Sequence, residues 1–370
     1  MPKLRFRVLK QSKLSRARVG VLETPNGVVH TPGFVPVATN ASLKAVDTRT
    51  ADHLGCELMF CNTYHLMLHP GADTVRELGG LHKFMNRKGV LITGAMDLDK
   101  DVGLKGAGQK SRPSLLLKVD EEGATFRSYR DGAKLTLTPE SSVDAQKALG
   151  ADIIIPLDYL LPYSASEAEV REAFEVTHRW EARSLKRHLE NPQGQAMYSV
   201  IHGGLDRDLR QRSIDTLTAM DFDGHAVGGS LGKTRDDLID LLQFVLPQLP
   251  QEKPNHILGI GDMSSVLRAV PLGADTFDSS YPTRLARHGG ALQEMGEPPR
   301  QMRRTSNALD KGPLLRGCDC PTCRNYMSAY LHHLIRANEP SAAVLLTVHN
   351  LYRMNRNMAD IRAAILNGEL

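Results

Sequence analysis

Short apolar runs, each bounded by turn residues, recur along the chain and alternate with stretches of helical periodicity. The runs occupy residues 34–38, 58–61, 90–93, 153–157, 197–201, 226–227, 257–260 and 276–277. Runs of this kind are typical of parallel strands that are buried on both faces. Because roughly eight strand–helix units can be counted, the pattern predicts an α/β protein built as a (β/α)8 TIM barrel.

The helical stretches lie between these strands. Helices are predicted at residues 48–55, 71–85 with a break at Gly79–Gly80, 166–189, 206–220, 234–246, 263–270, 282–287 and 325–337. Ser166 is the expected N-cap of the longest, and Thr138 followed by Pro139 predicts a further helix start. No Gly-x-Gly-x-x-Gly opens the first unit, which disfavours a dinucleotide-binding fold.

Two segments depart from this alternation. Residues 16–24 and 28–31 flank a Pro-Asn-Gly turn and predict a β-hairpin. Residues 115–137 alternate between apolar and polar positions and predict an antiparallel insertion in the barrel. We therefore expect a barrel core at residues 1–300, a zinc-binding subdomain at 301–350 and a C-terminal helix packing on the barrel at 351–370.

Composition limits the classes of protein that this chain can belong to. Of 370 residues, 41% are hydrophobic and 24% charged, which is typical of a soluble globular protein. A net charge of +4 permits a nucleic-acid partner without requiring one. No apolar run approaches the roughly 20 residues that span a membrane. The clustering of three of the five cysteines near the C-terminus indicates a metal site in a reducing compartment, and hence a cytoplasmic protein.

Polar or glycine residues follow most of the predicted strands. They are Thr39, Asn40, Asn62, Thr63, Asp158, His202, Gly203, Gly204, Gly228, Gly229 and Asp278. One polar residue at a strand end means little, because strand ends are often capped by polar groups. Their repetition on successive strands predicts a single pocket at the carboxyl end of the barrel.

Asp278 is the most prominent of these residues. It follows the last predicted strand and precedes a basic helix start that carries Arg284, Arg287 and His288, side chains suited to a phosphate-bearing partner. A carboxylate in this position favours catalysis in a barrel. The alternative is that Asp278 only caps the following helix.

A second cluster of chemically specialised residues lies near the C-terminus. Cys318, Cys320 and Cys323 form a C-x-C-x2-C motif, and His349 follows on an apolar stretch. Three thiolates and one imidazole make a closed tetrahedral ligand set, which indicates one structural Zn2+ per chain and leaves no position for a catalytic water. His332 and His333 are alternative sources of the imidazole, and three adventitious thiols are the non-metal alternative.

Taken together, these residues resemble the tRNA-guanine transglycosylases, also called queuine tRNA-ribosyltransferases. The resemblance covers nearly the whole chain and rests on segments that occur in the family's order: SRARVG, LMFCNTYHLMLHPG, SYRDG, GADIIIPLD, HGG, VGGSLGK, GIGD, FDSSYPTRLARHG, CDCPTC and TVHNL. The segments VIHGG, GGSLGK and FDSSYPT resemble the branch that uses queuine itself.

The resemblance implies an exchange of the guanine at the wobble position of tRNA for queuine or a related 7-deazaguanine. A carboxylate displaces guanine from ribose C1′, and the incoming base then displaces the carboxylate from a covalent ribosyl–enzyme ester, as in retaining glycosidases. A homodimer, or a heterodimer with a related subunit, is implied as well.

The family's functional residues map onto this chain by motif. Asp278 matches the nucleophile, Asp158 the residue that reads the purine edge, and Gly229 a backbone contact to the base. His202 stands where much of the family has Gln, and it can donate to a base carbonyl only in the right tautomer. The loops that contact tRNA match Gly259, Ile260, Gly261, Asp262, Met263, Ser264, Ser265, Thr283, Arg284, Leu285, Ala286 and Arg287.

One family signature is missing. After the third barrel strand the family has Asp-Ser-Gly-Gly-Phe-Gln, which supplies the general acid/base and a stacking Phe, whereas this chain has GAMDLDKD at 94–101. Asp97 and Asp99 are weak substitutes for the acid/base. Loss of this group should slow the reaction by about 10²–10⁴-fold, so we expect a slow or inactive homomer.

Three explanations for this departure remain open. The chain is a non-catalytic or impaired tRNA-binding partner of a heteromeric transglycosylase, or it is an enzyme in which Asp97 or Asp99 replaces the base. The third, which we favour, is a local deletion or faulty exon boundary in an otherwise active sequence. Two functions follow: tRNA base exchange by Asp278, or a zinc-stabilised module that holds tRNA or docks a catalytic partner.

Overall fold

The computed structural model describes residues 4–94, 116–128 and 131–370. Its strands are β1 (Arg5–Gln11), β2 (Arg18–Thr24), β3 (Gly27–Thr31), β4 (Gly33–Pro36), β5 (Leu58–Asn62), β6 (Val90–Gly94), β7 (Leu116–Val119), β8 (Ala124–Arg127), β9 (Lys134–Leu137), β10 (Ile153–Ile154), β11 (Ala196–Ile201), β12 (Gly224–Val227), β13 (Asn255–Ile257), β14 (Thr276–Ser279), β15 (Gly290–Ala291) and β16 (Arg300–Gln301).

The α-helices of the described residues fill most of the connections between these strands. They are α1 (Thr48–His53), α2 (Thr63–Leu68), α3 (Ala72–Glu77), α4 (Leu81–Met85), α5 (Pro139–Leu149), α6 (Glu167–Glu190), α7 (Arg207–Thr218), α8 (Arg235–Val245), α9 (Met263–Ala269), α10 (Tyr281–Arg287), α11 (Pro321–Asn325), α12 (Ser328–Arg336) and α13 (Pro340–Asn367). None of these helices is long and apolar enough to cross a membrane.

Eight parallel strands form the predicted barrel. Their order in the sheet is β4-β14-β13-β12-β11-β10-β6-β5, and every ladder between neighbours is parallel. A further parallel bridge joins Val37, just after β4, to Phe60 of β5 and nearly closes the sheet. The (β/α)8 prediction is therefore confirmed.

The strands bury both faces, which explains their continuous apolar sequences. On β6, Ile92 packs inside the barrel with the side chains of neighbouring strands, whereas Leu91 points to the layer of helices outside. Leu22 and Val29 of the β2–β3 hairpin join the inner cluster. Because this hairpin fills the amino end of the barrel, the carboxyl ends of the strands remain as the accessible mouth.

Several local predictions are confirmed. The hairpin is present as β2 and β3, with β1 added as a third antiparallel strand, and the insertion forms the antiparallel sheet β7–β8–β9. Thr138 and Ser166 cap α5 and α6 through reciprocal capping boxes. Gly79 and Gly80 separate α3 from α4, and both adopt positive φ angles of 93° and 85°.

Other elements differ from the predictions. The pattern did not reveal the short helix α2 or β1, an exposed basic strand whose one partner among the described strands is β2. The helix predicted at 325–337 is present as α12 but begins three residues later, at Ser328, because Tyr326 has an extended backbone and separates it from the short helix α11. The Cys320 sulfur accepts the Cys323 N–H, and Pro321 occupies the first turn, so the metal motif itself starts α11.

The last helix, α13, connects the C-terminal subdomain to the barrel. Its first part packs Ala342 and Leu346 into the cluster around α12, and its later part packs Met354 and Ile361 into the outer layer of the barrel. The boundary expected between residues 350 and 351 therefore lies inside a continuous 28-residue helix.

A buried ion pair fixes the hairpin to the barrel and can be tested by mutation. Arg18 on β2 donates through Nε (2.9 Å) and Nη2 (2.6 Å) to the fully buried carboxylate of Asp275. Arg18→Ala leaves this carboxylate uncompensated and should lower the free energy of unfolding by about 3–5 kcal/mol. Denaturant titration measures the loss. The exposed pair of Arg7 and Glu23 provides the control: Arg7→Ala should cost less than about 1 kcal/mol, and equal losses for the two variants would contradict this account.

Candidate active site

The carboxylate of Asp278 is held through one of its two oxygens. Oδ1 accepts the backbone N–H of Gly259 (2.9 Å) and lies 3.2 Å from Nε2 of His256. No described residue donates a hydrogen bond to Oδ2. One oxygen is thus fixed by two donors, while the other has lone pairs available at the mouth of the barrel.

The helix-cap alternative for Asp278 is wrong. Asp278 lies within β14, and the N-cap of α10 is Ser280, which makes no side-chain capping bond. Its carboxylate instead contacts the neighbouring strand and the loop that follows it. Capping of α10 therefore does not explain the position of the Asp278 carboxylate.

His256, which sequence reasoning missed, is positioned by the pairing of β13 with β14. It lies opposite Thr276 in the parallel register, and its Nδ1 is 2.9 Å from the Thr276 hydroxyl. Because a carboxylate only accepts hydrogen bonds, Nε2 of His256 carries a hydrogen and donates it to Asp278. The only signal in the sequence is a histidine directly before the apolar run at 257–260, three positions before Gly259.

Asp158 and His202 form a second polar pair at the same end of the barrel. Nε2 of His202 is 3.0 Å from Oδ2 of Asp158, and both side chains are largely buried. The Ser213 hydroxyl on α7 accepts the backbone N–H of His202 and contacts Nε2 of His178. These contacts with α6 and α7 hold the backbone of His202 in place.

A cavity of 580 Å³ opens beside this pair. Its lining includes Tyr159, Phe174, His202, Gly229 and Ser230. Gly229 has φ of +72°, and a Cβ there would lie 3.0 Å from Nδ1 of His202, so a side chain would crowd the imidazole. The cavity is large enough for a heterocyclic base with a substituent.

The loops expected to contact RNA have both exposed and buried members. Gly259, Arg284 and Arg287 are exposed, whereas the side chains of Met263, Ser265, Thr283 and Ala286 are buried, as is the backbone of Gly261. Ile260, Asp262, Ser264 and Leu285 are half-buried. Of the residues predicted to contact RNA, the most exposed are therefore Gly259 and the two arginines. Asp97 and Asp99 lie outside the described residues.

The Cys/His motif forms the predicted cluster. The sulfurs of Cys318, Cys320 and Cys323 lie 3.8, 3.4 and 3.3 Å from Nδ1 of His349, and the four ligand atoms lie within 4.8 Å of one another. Nε2 of His349 donates to the carbonyl of Leu292 (2.8 Å), which leaves Nδ1 as a ligand atom. This donor set fits a metal ion.

The fourth ligand is thereby distinguished from the two alternatives. His332 contacts the carbonyl of Met302 through its Nδ1 (2.7 Å), and His333 is exposed on α12. Neither belongs to the group of ligand atoms. His349 is the member that the fold brings to the three cysteines.

Comparisons with known proteins give the family of this chain. The sequence profile described as queuine tRNA-ribosyltransferase matches residues 12–370. The chain belongs to the queuine tRNA-ribosyltransferase family. It is 51% identical over 373 residues to the queuine tRNA-ribosyltransferase of Protochlamydia amoebophila (strain UWE25), covering 99% of this chain and 96% of the relative. It is 46% identical over 376 residues to that of Chlamydia muridarum (strain MoPn / Nigg), covering 99% and 100%.

Arg210 is a further residue of this family member's site that the sequence did not reveal. Its fully buried guanidinium, whose pKa burial lowers to about 9, donates to the carbonyls of Ile201, Gly204 (2.9 Å) and Ser230 (3.1 Å). These carbonyls belong to the loops that carry His202 and Gly229. Arg210 therefore holds together two walls of the cavity.

Glu181 is an unusual carboxyl group behind the same site. It is fully buried on α6, and its Oε1 accepts the backbone N–H of Val200 (2.9 Å). Its Oε2 has no hydrogen-bond partner among the described residues. Burial, with a smaller contribution from the Asp158 charge, raises the pKa of Glu181 well above its usual value of 4.5.

This raised pKa predicts a specific dependence of stability on pH. The folded protein holds the Glu181 proton at pH values where the unfolded chain has lost it, so the folded state is destabilised as pH rises above about 4.5. Glu181→Gln removes the titrating group. Its advantage in stability over the wild type should grow as pH rises above about 4.5, by at most about 1.4 kcal/mol per pH unit.

Denaturant titrations of both proteins at several pH values measure this advantage. Glu172→Gln, at an exposed position of the same helix, is the control and should show no such trend. A Glu181→Gln advantage that stays constant with pH would contradict the burial of a protonated carboxyl group.

Proposed function

We propose that this chain is a pentosyltransferase that replaces the wobble guanine of tRNA with queuine or a related 7-deazaguanine, with Asp278 as nucleophile. The observation that carries the proposal is the one-sided hydrogen bonding of Asp278. Gly259 and His256 bind Oδ1, so Oδ2 is the oxygen that attacks. Members of the family are named for this transfer.

The first displacement forms a bond between Oδ2 and ribose C1′ while the C1′–N9 bond to guanine breaks. The electron pair of that bond passes to N9, which is protonated as guanine leaves. In the second displacement, N9 of the incoming base loses its proton and attacks C1′, and the carboxylate leaves. The two donors on Oδ1 orient the carboxylate for attack and stabilise it again as it departs.

Asp158, His202 and Gly229 form the proposed base site. The carboxylate of Asp158 accepts hydrogen bonds from the N1–H and N2–H groups of a guanine-type base. Gly259 and the arginines Arg284 and Arg287 are the proposed contacts to the tRNA backbone, because they are exposed beside the segment that carries Asp278.

We propose Zn2+ as the ion held by Cys318, Cys320, Cys323 and His349. Three thiolates with one imidazole are the ligands that structural zinc prefers, and four protein ligands leave no open position. The proposed organisation is a barrel core at 1–300 and a zinc subdomain at 301–350, with residues 351–370 packing on the barrel. We also propose that the protein is cytoplasmic and forms an assembly of two chains.

Base exchange gives the first test of this function. Incubation with tRNA and radiolabelled guanine should transfer label into tRNA, slowly because the Asp-Ser-Gly-Gly-Phe-Gln signature is missing. Asp278→Asn should reduce incorporation by about 10³-fold or more. Asp73→Asn, on an exposed surface of α3, should incorporate label as the wild type does. Equal incorporation by Asp278→Asn and wild type would rule out Asp278 as the nucleophile.

Metal content gives a second test, independent of catalysis. Elemental analysis should find about one zinc per chain, and His349→Ala should lose the metal and unfold at lower temperature, because metal binding contributes to folding. The exposed His333 supplies the control: His333→Ala should keep its zinc and its unfolding temperature. Full zinc retention in His349→Ala would refute the assigned ligand set.

A further inference from the structure

The contact between His202 and Asp158 determines where the imidazole carries its hydrogen. Nε2 lies 3.0 Å from Oδ2 of the carboxylate. A carboxylate only accepts hydrogen bonds, so Nε2 carries the hydrogen and donates it. In the neutral ring the other nitrogen, Nδ1, then has a lone pair and can only accept.

This Nδ1 is presented at the proposed base site. It lies against Gly229, where a Cβ would come within 3.0 Å of it, and both residues line the 580 Å³ cavity. None of the described residues donates a hydrogen bond to Nδ1. A base bound in this site therefore contacts Nδ1 of His202 directly.

An unprotonated Nδ1, which can only accept, cannot form a hydrogen bond with the acceptor atoms of the base. Guanine and 7-deazaguanine offer N1–H and N2–H groups to Asp158, and this edge is flanked by O6 on one side and by N3 on the other. Both flanking atoms are acceptors, so the group beside Asp158 faces an acceptor whichever way the base is turned. A glutamine amide, which much of the family has here, supplies an N–H at every pH.

We propose that His202 takes up a proton when the base binds, an inference that rests on the proposed function of this site. The Nε2–H remains on Asp158, and the new Nδ1–H donates to O6 or N3 of the base. The bound state then contains an imidazolium between a carboxylate and an acceptor of the base. Base recognition by this chain is therefore coupled to proton uptake from solvent.

The charges around His202 explain why the proton arrives with the base. The Asp158 carboxylate favours the imidazolium, whereas the buried guanidinium of Arg210 opposes it, with Nη2 3.6 Å from where a Cβ of Gly229 would lie. The acceptor atom of the base adds a further favourable interaction with the protonated ring.

The remaining titratable groups near His202 contribute little charge. Burial lowers the pKa of His178 on α6 to about 4, so this ring is neutral near pH 7. Burial raises the pKa of Glu181 on the same helix, which favours its neutral acid. Arg171 and Asp206 at the cavity wall pair with each other at 3.0 Å. Proton uptake is thus assigned to His202.

Calorimetry with 7-deazaguanine as the probe tests this inference without requiring catalysis. Titrations at one near-neutral pH in phosphate and in Tris, which differ in heat of ionisation, count the protons exchanged on binding. The wild type should take up about one proton per base, and its affinity should fall by up to about tenfold per pH unit as pH rises. His202→Gln should bind the base with no proton uptake and with pH-independent affinity.

The controls separate this inference from the proposed function. His333→Gln, on the exposed face of α12, should keep the wild-type proton uptake, and thermal unfolding verifies that each variant is folded. If His202→Gln does not fold, the number of protons taken up by the wild type, measured from its binding heats in the two buffers, is the deciding result. Base binding by the wild type without proton uptake, or uptake retained in His202→Gln, would overturn the inference only. Absence of base binding by the wild type would contradict the proposed function as well.

Discussion

The parallel pairing of β13 with β14 determines the chemistry of this protein. The register places His256 beside Thr276 and brings the loop after β13 to Asp278. As a result, the backbone N–H of Gly259 and the imidazole of His256 reach the same carboxylate oxygen. A change of register by one residue would point these side chains to the opposite face of the sheet and remove both donors.

The Cys/His cluster supports the same segment from the outside. His349 donates to the carbonyl of Leu292, and the next residue, Asn350, donates to the carbonyls of Pro282 and Gly290. Pro282 lies in the first turn of α10, four residues after Asp278. Metal binding at His349 would therefore be linked to the orientation of the helix after Asp278 through two consecutive residues of α13. A metal ion held by the cluster would be connected to the segment of Asp278 through structure alone.

The sequence predicted the barrel because its strands are buried on both faces and leave continuous apolar runs. It predicted Asp158, Asp278 and the Cys/His cluster because those residues follow strands or have the spacing of metal ligands. It did not predict His256 and Arg210, because only the fold brings their partners together: His256 contacts the neighbouring strand β14, and Arg210 connects residues around the end of β11 with the loop after β12. The hydrogen on Nε2 of His202 likewise follows only from its distance to Asp158.

The proposed reaction requires that Oδ2 of Asp278 form an ester with the ribose of tRNA. The most direct measurement is mass spectrometry of the protein after incubation with tRNA, acid quenching, and nuclease and protease digestion. We expect an abasic ribose-phosphate mass on the peptide that contains Asp278, because guanine has left C1′, and no such peptide from the Asp278→Asn variant. A ribose-phosphate adduct on a different residue, or tRNA that binds the wild type without forming any adduct, would contradict the ester at Asp278.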